Sequence, residues 1–149
     1  MTRQTIGRPM EILLVEDSLI DAKLTIAALR KGDLQHRLTL IRDGEEALEF
    51  LLRAGKFAHA PRPDLILLDL NLPKKDGIDL LTEMRGNYDL KDIPVVVLTA
   101  ADDLATKARV ELYYVEHYLT KPINFDRFLE AVRKLRKHWQ HDLILPSLD

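Results

Sequence analysis

The sequence predicts an α/β protein with a doubly wound fold, in which five parallel strands form one open sheet covered by helices on both faces. Three short apolar runs, at 12–15, 65–68 and 95–98, contain no polar residue, which is typical of strands buried on both sides. Segments with a helical spacing of apolar residues alternate with the strand-like segments. This alternation favours a parallel sheet, and five strand–helix units are too few for an eight-stranded barrel.

Apolar content and length locate the strands. The three unbroken runs supply the first, third and fourth strands, and two further apolar segments complete the alternation with helices. The predicted strands are 11–15, 36–41, 64–68, 94–98 and 115–119. Between and after them lie the predicted helices, 18–31, 44–54, 77–85, 102–112 and 124–139.

Capping patterns mark where three of the helices begin. Ser18, Asp43 and Asp76 are small polar residues that can accept hydrogen bonds from the free N–H groups of a first helical turn. Each is followed three positions later by an acid, which suits the positive end of the helix dipole. The last predicted helix is marked instead by one apolar stripe, formed by Phe125, Phe128, Leu129, Val132, Leu135 and Trp139.

The alternating units form a single predicted domain over residues 11–139. Residues 1–10 are an N-terminal extension, and residues 140–149 form a C-terminal tail. The segment Leu143–Leu148 within that tail is too apolar for a simple solvated end. Two interpretations stay open: the tail folds back onto its own domain, or it contacts a second subunit or a partner.

Composition excludes several classes of protein. The chain has 149 residues, of which 46% are hydrophobic and 31% charged, and its formal net charge is −2, so it is neither a disordered chain nor a strongly basic nucleic-acid binder. It contains no cysteine, which excludes disulfides and thiolate metal sites. Its apolar runs are too short to span a membrane, and its first ten residues lack the apolar stretch of a secretory signal. We therefore expect a soluble, cytoplasmic protein that binds neither nucleic acid nor membrane.

Polar side chains follow four of the predicted strands at their carboxyl ends. Glu16 and Asp17 follow the first strand, Asp69 the third, Thr99 the fourth and Lys121 the fifth. Each has an ordinary structural explanation when taken singly: Asp17 could be a helix cap and Lys121 a solvated surface residue. In an open α/β sheet, however, ligands bind at the carboxyl ends of the strands, so we expect these side chains to share one site.

The residue types at this edge indicate phosphoryl chemistry. The carboxylates of Glu16, Asp17 and Asp69 are hard oxygen ligands of the kind that Mg²⁺ prefers. A carboxylate beside a bound metal can act as a nucleophile and form an aspartyl phosphate. A phosphoryl group on Asp69 would need its oxygens neutralised, for which Lys121 offers positive charge and Thr99 a hydroxyl donor.

On these residues the chain resembles the receiver domain of two-component response regulators, which has the flavodoxin-like, CheY-like (βα)₅ fold. The segment 69–73, followed by Asp76-Gly77, is similar to the loop after the phosphorylated aspartate of that family. The resemblance covers residues 12–137. The long loop at 55–63 and the extended tail give a narrower resemblance to the single-domain response regulators of cyanobacterial phytochromes.

The resemblance implies a role for each site residue. Asp69 is the implied phosphoacceptor, with Thr99 and Lys121 contacting the phosphoryl group. The implied cofactor is Mg²⁺, held by Glu16, Asp17, Asp69 and the backbone carbonyl of Asn71. Tyr118 matches the aromatic residue that moves together with Thr99 when the family switches state, and the Lys121–Pro122 bond is a candidate cis peptide.

The resemblance also implies the partners. The phosphoryl donor is a sensor histidine kinase, and a cyanobacterial phytochrome is the candidate. Such a domain is a switch with only slow autodephosphorylation, not a metabolic enzyme. Because about ten residues follow the last predicted helix, we expect the signal to leave through protein contacts. The expected contact is a homodimer through the fourth helix (102–112), the fifth strand (115–119), the fifth helix (124–139) and the tail.

Basic residues on the exposed side of the last predicted helix leave three interpretations open. They form a solvated face, a docking patch for an acidic partner, or a nucleic-acid contact, which the net charge of −2 disfavours. The residues are Arg127, Arg133, Lys134, Arg136 and Lys137.

Two other functions remain as alternatives. An aspartyl phosphatase would carry a second acid two positions after its nucleophile, but Asn71 stands there, and the absence of turnover of p-nitrophenyl phosphate would exclude it. A receiver-like scaffold that is not controlled by phosphorylation usually lacks an acid or the lysine, and this chain keeps both. A nucleotide-binding protein is disfavoured because no glycine-rich phosphate loop is present.

Overall fold

A computed structural model describes residues 7–99, 115, 117–139 and 143. The described strands form one parallel sheet in the order β2-β1-β3-β4-β5, so the predicted doubly wound sheet is confirmed. The strands are β1 (Met10–Val15), β2 (His36–Ile41), β3 (Leu65–Asp69), β4 (Val95–Thr99) and β5 (His117–Thr120). Compared with the prediction, β3 and β4 each end one residue later, so Asp69 and Thr99 are the last residues of their strands.

Among the described residues, α-helices follow β1, β2, β3 and β5. They are α1 (Leu19–Arg30), α2 (Gly44–Leu52), α3 (Gly77–Arg85) and, after β5, a C-terminal helix (Phe125–Leu135). The predicted helix at 102–112 lies outside the described residues. The second helix stops two residues earlier than predicted because Arg53 adopts a left-handed conformation with φ of 55°. The last one ends at Leu135, and a short 3₁₀ turn (Arg136–His138) continues the chain.

The central strands are buried on both faces because their side chains alternate between two apolar clusters. On one face Leu13, Ile66 and Val97 pack with residues of α2 and α3. On the other face Leu14 and Leu67 pack with residues of α1 and the C-terminal helix. The unbroken apolar runs in the sequence are therefore a direct consequence of a sheet covered on both sides.

The predicted caps fix the beginnings of three helices. The backbone N–H groups of Asp21, Glu46 and Asp79 each donate to the cap three residues earlier, at 3.2, 2.7 and 2.9 Å. Ser18 and Asp43 lie two or three residues after the ends of β1 and β2, so these two caps set how the chain turns from the sheet into the helix that follows. The Ser18 cap places Asp21 at the carboxyl edge of the sheet, within contact distance of Lys121.

Asp64, at the opposite edge of the sheet, joins both ends of the described chain. Its carboxylate accepts two hydrogen bonds from the Arg8 guanidinium, at 2.7 and 2.8 Å, and its carbonyl accepts one from Trp139 Nε1 at 2.7 Å. Arg8 also forms a β-bridge with Leu143, whose side chain is buried against Met10 and its neighbours. At Leu143, therefore, the tail packs onto its own domain.

No helix among the described residues is long and apolar enough to cross a membrane.

Candidate phosphoacceptor site

The polar residues predicted to share a site lie together at the carboxyl edge of the sheet. Glu16 directly follows β1, Asp69 and Thr99 end β3 and β4, and Lys121 directly follows β5. Because β1, β3, β4 and β5 are neighbours in a parallel sheet, their carboxyl ends lie side by side. Glu16, Asp69 and Thr99 are all buried, Glu16 completely.

Lys121 is the centre of this site. Its Nζ lies 2.7 Å from Oε1 of Glu16, 3.1 Å from Oδ2 of Asp69 and 3.1 Å from Oδ2 of Asp21. An ammonium group has three N–H donors, so each donor has one carboxylate partner. Only 12% of the lysine side chain is exposed. The largely buried ammonium thus offsets part of the negative charge of the two buried carboxylates, which would be costly to bury without a partner.

Backbone groups hold the site residues in place. The backbone N–H of Lys121 donates to the carbonyl of Thr99 at 2.7 Å, which ties the end of β5 to the end of β4. The peptide bond between Lys121 and Pro122 is cis. The second oxygens of the buried carboxylates are also satisfied: Oδ1 of Asp69 accepts from the backbone N–H of Asn71 at 3.0 Å, and Oε2 of Glu16 accepts from that of Ser18 at 3.1 Å.

The electrostatics of the site follow from this burial. Burial and the neighbouring Asp69 carboxylate outweigh the Lys121 ammonium and raise the pKa of Glu16 to about 7. Burial by itself lowers the pKa of Lys121, but hydrogen bonds to Glu16, Asp21 and Asp69 more than offset it, so the net pKa lies above its ordinary value. The lysine therefore stays charged at neutral pH.

Two of the predicted metal ligands lie at the surface beside this cluster. Asp17 and Asn71 are exposed, and the carbonyl of Asp17 accepts a hydrogen bond from Arg42 at 2.9 Å. Across the described part of the chain, no three His, Cys, Asp or Glu residues form a metal-binding group, and the Lys121 ammonium contacts both Glu16 and Asp69. The donor chemistry nevertheless fits a hard divalent cation, because the nearby side-chain donors are carboxylate oxygens whose formal charge exceeds that of one lysine.

Asp21 was not predicted as a site residue. The sequence marked it only as the acid of a helix cap, at the third position after Ser18. The signal that could have identified it is its location: a cap that follows a strand end places the first turn of its helix at the ligand-binding edge of the sheet.

Tyr118, the predicted switch residue, lies on β5, two strands away from Asp69 on β3. It is half-buried, packs against the apolar cluster shared with α2 and α3, and pairs in register with Val97, two residues before Thr99. Tyr118 also lines a groove between β5 and the C-terminal helix. This arrangement connects the end of β4 to an accessible surface.

Gly77 positions the loop that follows Asp69, and we expect Gly77→Ala to destabilise the protein. A Cβ at this position would lie 2.6 Å from Cα of Leu70 and 3.0 Å from the carbonyl oxygen of Asp69, both backbone atoms. The free energy of unfolding in urea should fall by about 1–3 kcal/mol. Gly86→Ala, at the other end of α3, is the matched control, because the nearest atom there is 3.5 Å away. Equal stability of the two variants would contradict the proposed close packing.

His117 should make the stability of the protein depend on pH. Burial, and then the positive charge of Lys134, lower the pKa of His117, while Glu130 opposes them. The unfolded chain therefore binds this proton more readily, and stability is lost as the pH falls through the ordinary histidine value near 6.5. Urea unfolding at pH 8 and pH 5.5 should show a smaller loss in His117→Gln than in the wild type. His59→Gln, on an exposed loop, serves as control, and identical losses in all three proteins would refute this role.

The fold and this edge cluster together define the receiver class of signalling domains. The chain belongs to the response regulator receiver domain family, whose sequence model matches residues 12–133. It is similar to the response regulator Rcp1 of Synechocystis sp., with 45% identity over 142 residues, which cover 93% of this chain and 95% of that protein. The predicted family is thus confirmed.

Two solved structures extend this similarity. The Mn²⁺-bound form of Rcp1 has a TM-score of 0.73 and 42% identity, and the match covers 93% of this chain and all of that one. The phosphorylated cyanobacterial phytochrome response regulator RcpA has a TM-score of 0.74 and 39% identity, covering 94% of this chain and all of that one. The predicted similarity to phytochrome response regulators is confirmed as well. This chain is thus a response regulator receiver domain, a class that generally acts as a switch.

Proposed function

We propose that this receiver domain accepts a phosphoryl group on Asp69 from a sensor histidine kinase, in a Mg²⁺-dependent reaction. The observation that carries this proposal is the contact of 3.1 Å between the Lys121 ammonium and Oδ2 of the buried Asp69 carboxylate, with Thr99 at the end of the neighbouring strand. A cation fixed beside a carboxylate stabilises the charge that arrives with a phosphoryl group on that carboxylate.

The transfer would be an in-line displacement at phosphorus. An oxygen of Asp69 forms the new P–O bond while the P–N bond of the donor phosphohistidine breaks, and the imidazole nitrogen keeps the electron pair and takes up a proton. The Lys121 ammonium pairs with a phosphoryl oxygen, and the Thr99 hydroxyl donates to another. Hydrolysis of the acyl phosphate by water would return the carboxylate slowly.

Four residues would hold the metal ion. These are Glu16, Asp17 and Asp69 through side chains, Glu16 in part through water, and Asn71 through its backbone carbonyl. When bound, Mg²⁺ would supply positive charge to the phosphoryl oxygens in the transition state. The all-oxygen donor set supports Mg²⁺ as this ion.

The partners follow from the relatives and from the exposed elements. Similarity to phytochrome response regulators supports a kinase of the phytochrome type. The output would be a protein contact, a homodimer through β5, the C-terminal helix, the segment predicted as a helix at 102–112, and the tail. Thr99 and Tyr118 would couple phosphorylation to that surface, since Tyr118 contacts both the core and the groove beside β5.

Intact-protein mass spectrometry after incubation with acetyl phosphate tests the proposal. One phosphoryl adduct that requires Mg²⁺, and that borohydride reduction and peptide mapping place at Asp69, is the expected result. Gel filtration of the same sample should show a larger species than the unphosphorylated protein. If neither acetyl phosphate nor a phytochrome kinase gives an adduct, the alternative holds: a receiver-like scaffold not controlled by phosphorylation.

A further inference from the structure

Asp21 brings a third carboxylate to Lys121 that the proposed reaction does not use. It lies in the first turn of α1, where its backbone N–H donates to Oγ of the Ser18 cap at 3.2 Å. Its Oδ2 accepts from the Lys121 Nζ at 3.1 Å, the same length as the contact from Lys121 to Asp69. The Asp21 side chain is 37% exposed, so it lies at the outer rim of the cluster, whereas Glu16 is fully buried.

Lys121 and a divalent cation compete for the same carboxylates. The lysine contacts Glu16 and Asp69, which are also two of the proposed Mg²⁺ ligands. When the cation binds them, the lysine loses hydrogen bonds, and a largely buried ammonium without a partner is costly. Asp21 is the one lysine partner in the cluster that does not belong to the proposed ligand set.

We propose that Asp21 is a positioning residue that keeps the Lys121 ammonium paired at the rim of the site while Glu16 and Asp69 bind the divalent cation. Asp21 thereby lowers the cost of metal binding and keeps the lysine within reach of the phosphoryl group. This inference rests on the proposed function, because it assumes that Glu16 and Asp69 are metal ligands.

A double-mutant cycle on Mg²⁺ affinity tests this role without any phosphoryl donor. The four proteins are the wild type, Asp21→Asn, Lys121→Met and the double variant, each titrated with MgCl₂ by isothermal calorimetry. In the presence of Lys121, Asp21→Asn should weaken Mg²⁺ binding by about 3- to 10-fold. In the Lys121→Met background, the fold-change caused by Asp21→Asn should be at least about threefold smaller, as expected for directly coupled residues. The loss of Mg²⁺ affinity that Asp21→Asn still causes without Lys121 measures the direct electrostatic effect of the Asp21 charge on the bound ion.

The chain offers a matched control for the cap. Asp79 occupies the same position in α3, where its backbone N–H donates to the Asp76 cap at 2.9 Å, and no contact joins it to Lys121. Asp79→Asn removes a first-turn acid of the same kind, so it should leave Mg²⁺ affinity unchanged within about twofold. Lys121→Gln provides a second background if Lys121→Met does not fold.

The outcomes separate this inference from the proposed function. If the wild type forms no adduct at Asp69, that result contradicts the proposed function, on which the inference about Asp21 rests. If the wild type is phosphorylated but Asp21→Asn weakens Mg²⁺ binding equally with and without Lys121, Asp21 does not act through the lysine and the inference is overturned. If Asp79→Asn weakened Mg²⁺ binding as much as Asp21→Asn does, the inference would also be overturned, because Asp21 would then act only as an acid of the first helical turn.

Discussion

Asp69→Asn is expected to reduce labelling by acetyl phosphate by at least about 100-fold, because an amide lacks the anionic oxygen that attacks phosphorus. The substitution preserves the shape of the side chain and removes the carboxylate whose negative charge helps to raise the pKa of the buried Glu16. The variant should therefore remain folded. Intact mass measured at several times after mixing with acetyl phosphate and Mg²⁺ gives the rate directly.

Asp79→Asn is a suitable control for this experiment, because Asp79 is exposed on α3. It should be labelled at the rate of the wild type. A wild-type labelling rate in Asp69→Asn, with the adduct mapped to another residue, would show that Asp69 is not the phosphoacceptor.

Lys121→Met is expected to lower the free energy of unfolding by about 3–5 kcal/mol at pH 8 in the presence of a chelator. The variant leaves Glu16 and Asp69 facing each other in a buried site without the ammonium that contacts both, at 2.7 and 3.1 Å. Without that charge, the pKa of Glu16 should rise further above its ordinary value. A carboxyl with a raised pKa costs stability as the pH rises, so the loss should be smaller at pH 6.

Urea unfolding with chelator and with excess Mg²⁺ measures this effect. Mg²⁺ should restore most of the lost stability, because it supplies positive charge to the same carboxylates. Lys75→Met is the matched control: Lys75, just before α3, pairs at 2.9 Å with Glu83, which is exposed on that helix, and its removal should change stability little. Equal losses in the two variants, or no recovery with Mg²⁺, would contradict the assigned electrostatics.

Local signals in the sequence were sufficient to predict the sheet and the assembly of its carboxyl edge. Unbroken apolar runs identify strands covered on both faces, and small polar caps give the helix starts at Ser18, Asp43 and Asp76. Once a parallel sheet is inferred, the residues after its strands must share one edge. Glu16, Asp69 and Lys121 meet there for that reason.

Contacts between distant segments were not predictable in the same way. Asp21 and Lys121 are 100 residues apart, and their contact depends on the position of the first turn of α1 relative to the end of β5. Helix ends were also missed where backbone conformation decides them, as at Arg53. The contact of Asp64 with Arg8 and Trp139 also has no local pattern, because the three residues lie in segments far apart in the sequence.

The hydrogen bond from Trp139 to Asp64 provides an optical reporter for signalling in this chain. Trp139 is the only tryptophan, and Asp64 immediately precedes β3, whereas Asp69 ends that strand. Asp69 lies five residues after Asp64 along the strand, roughly 16 Å away, which keeps the indole away from the proposed sites of the phosphoryl group and the metal ion. A change in tryptophan emission upon phosphorylation would thus record movement at the far edge of the sheet, not quenching at the site of reaction.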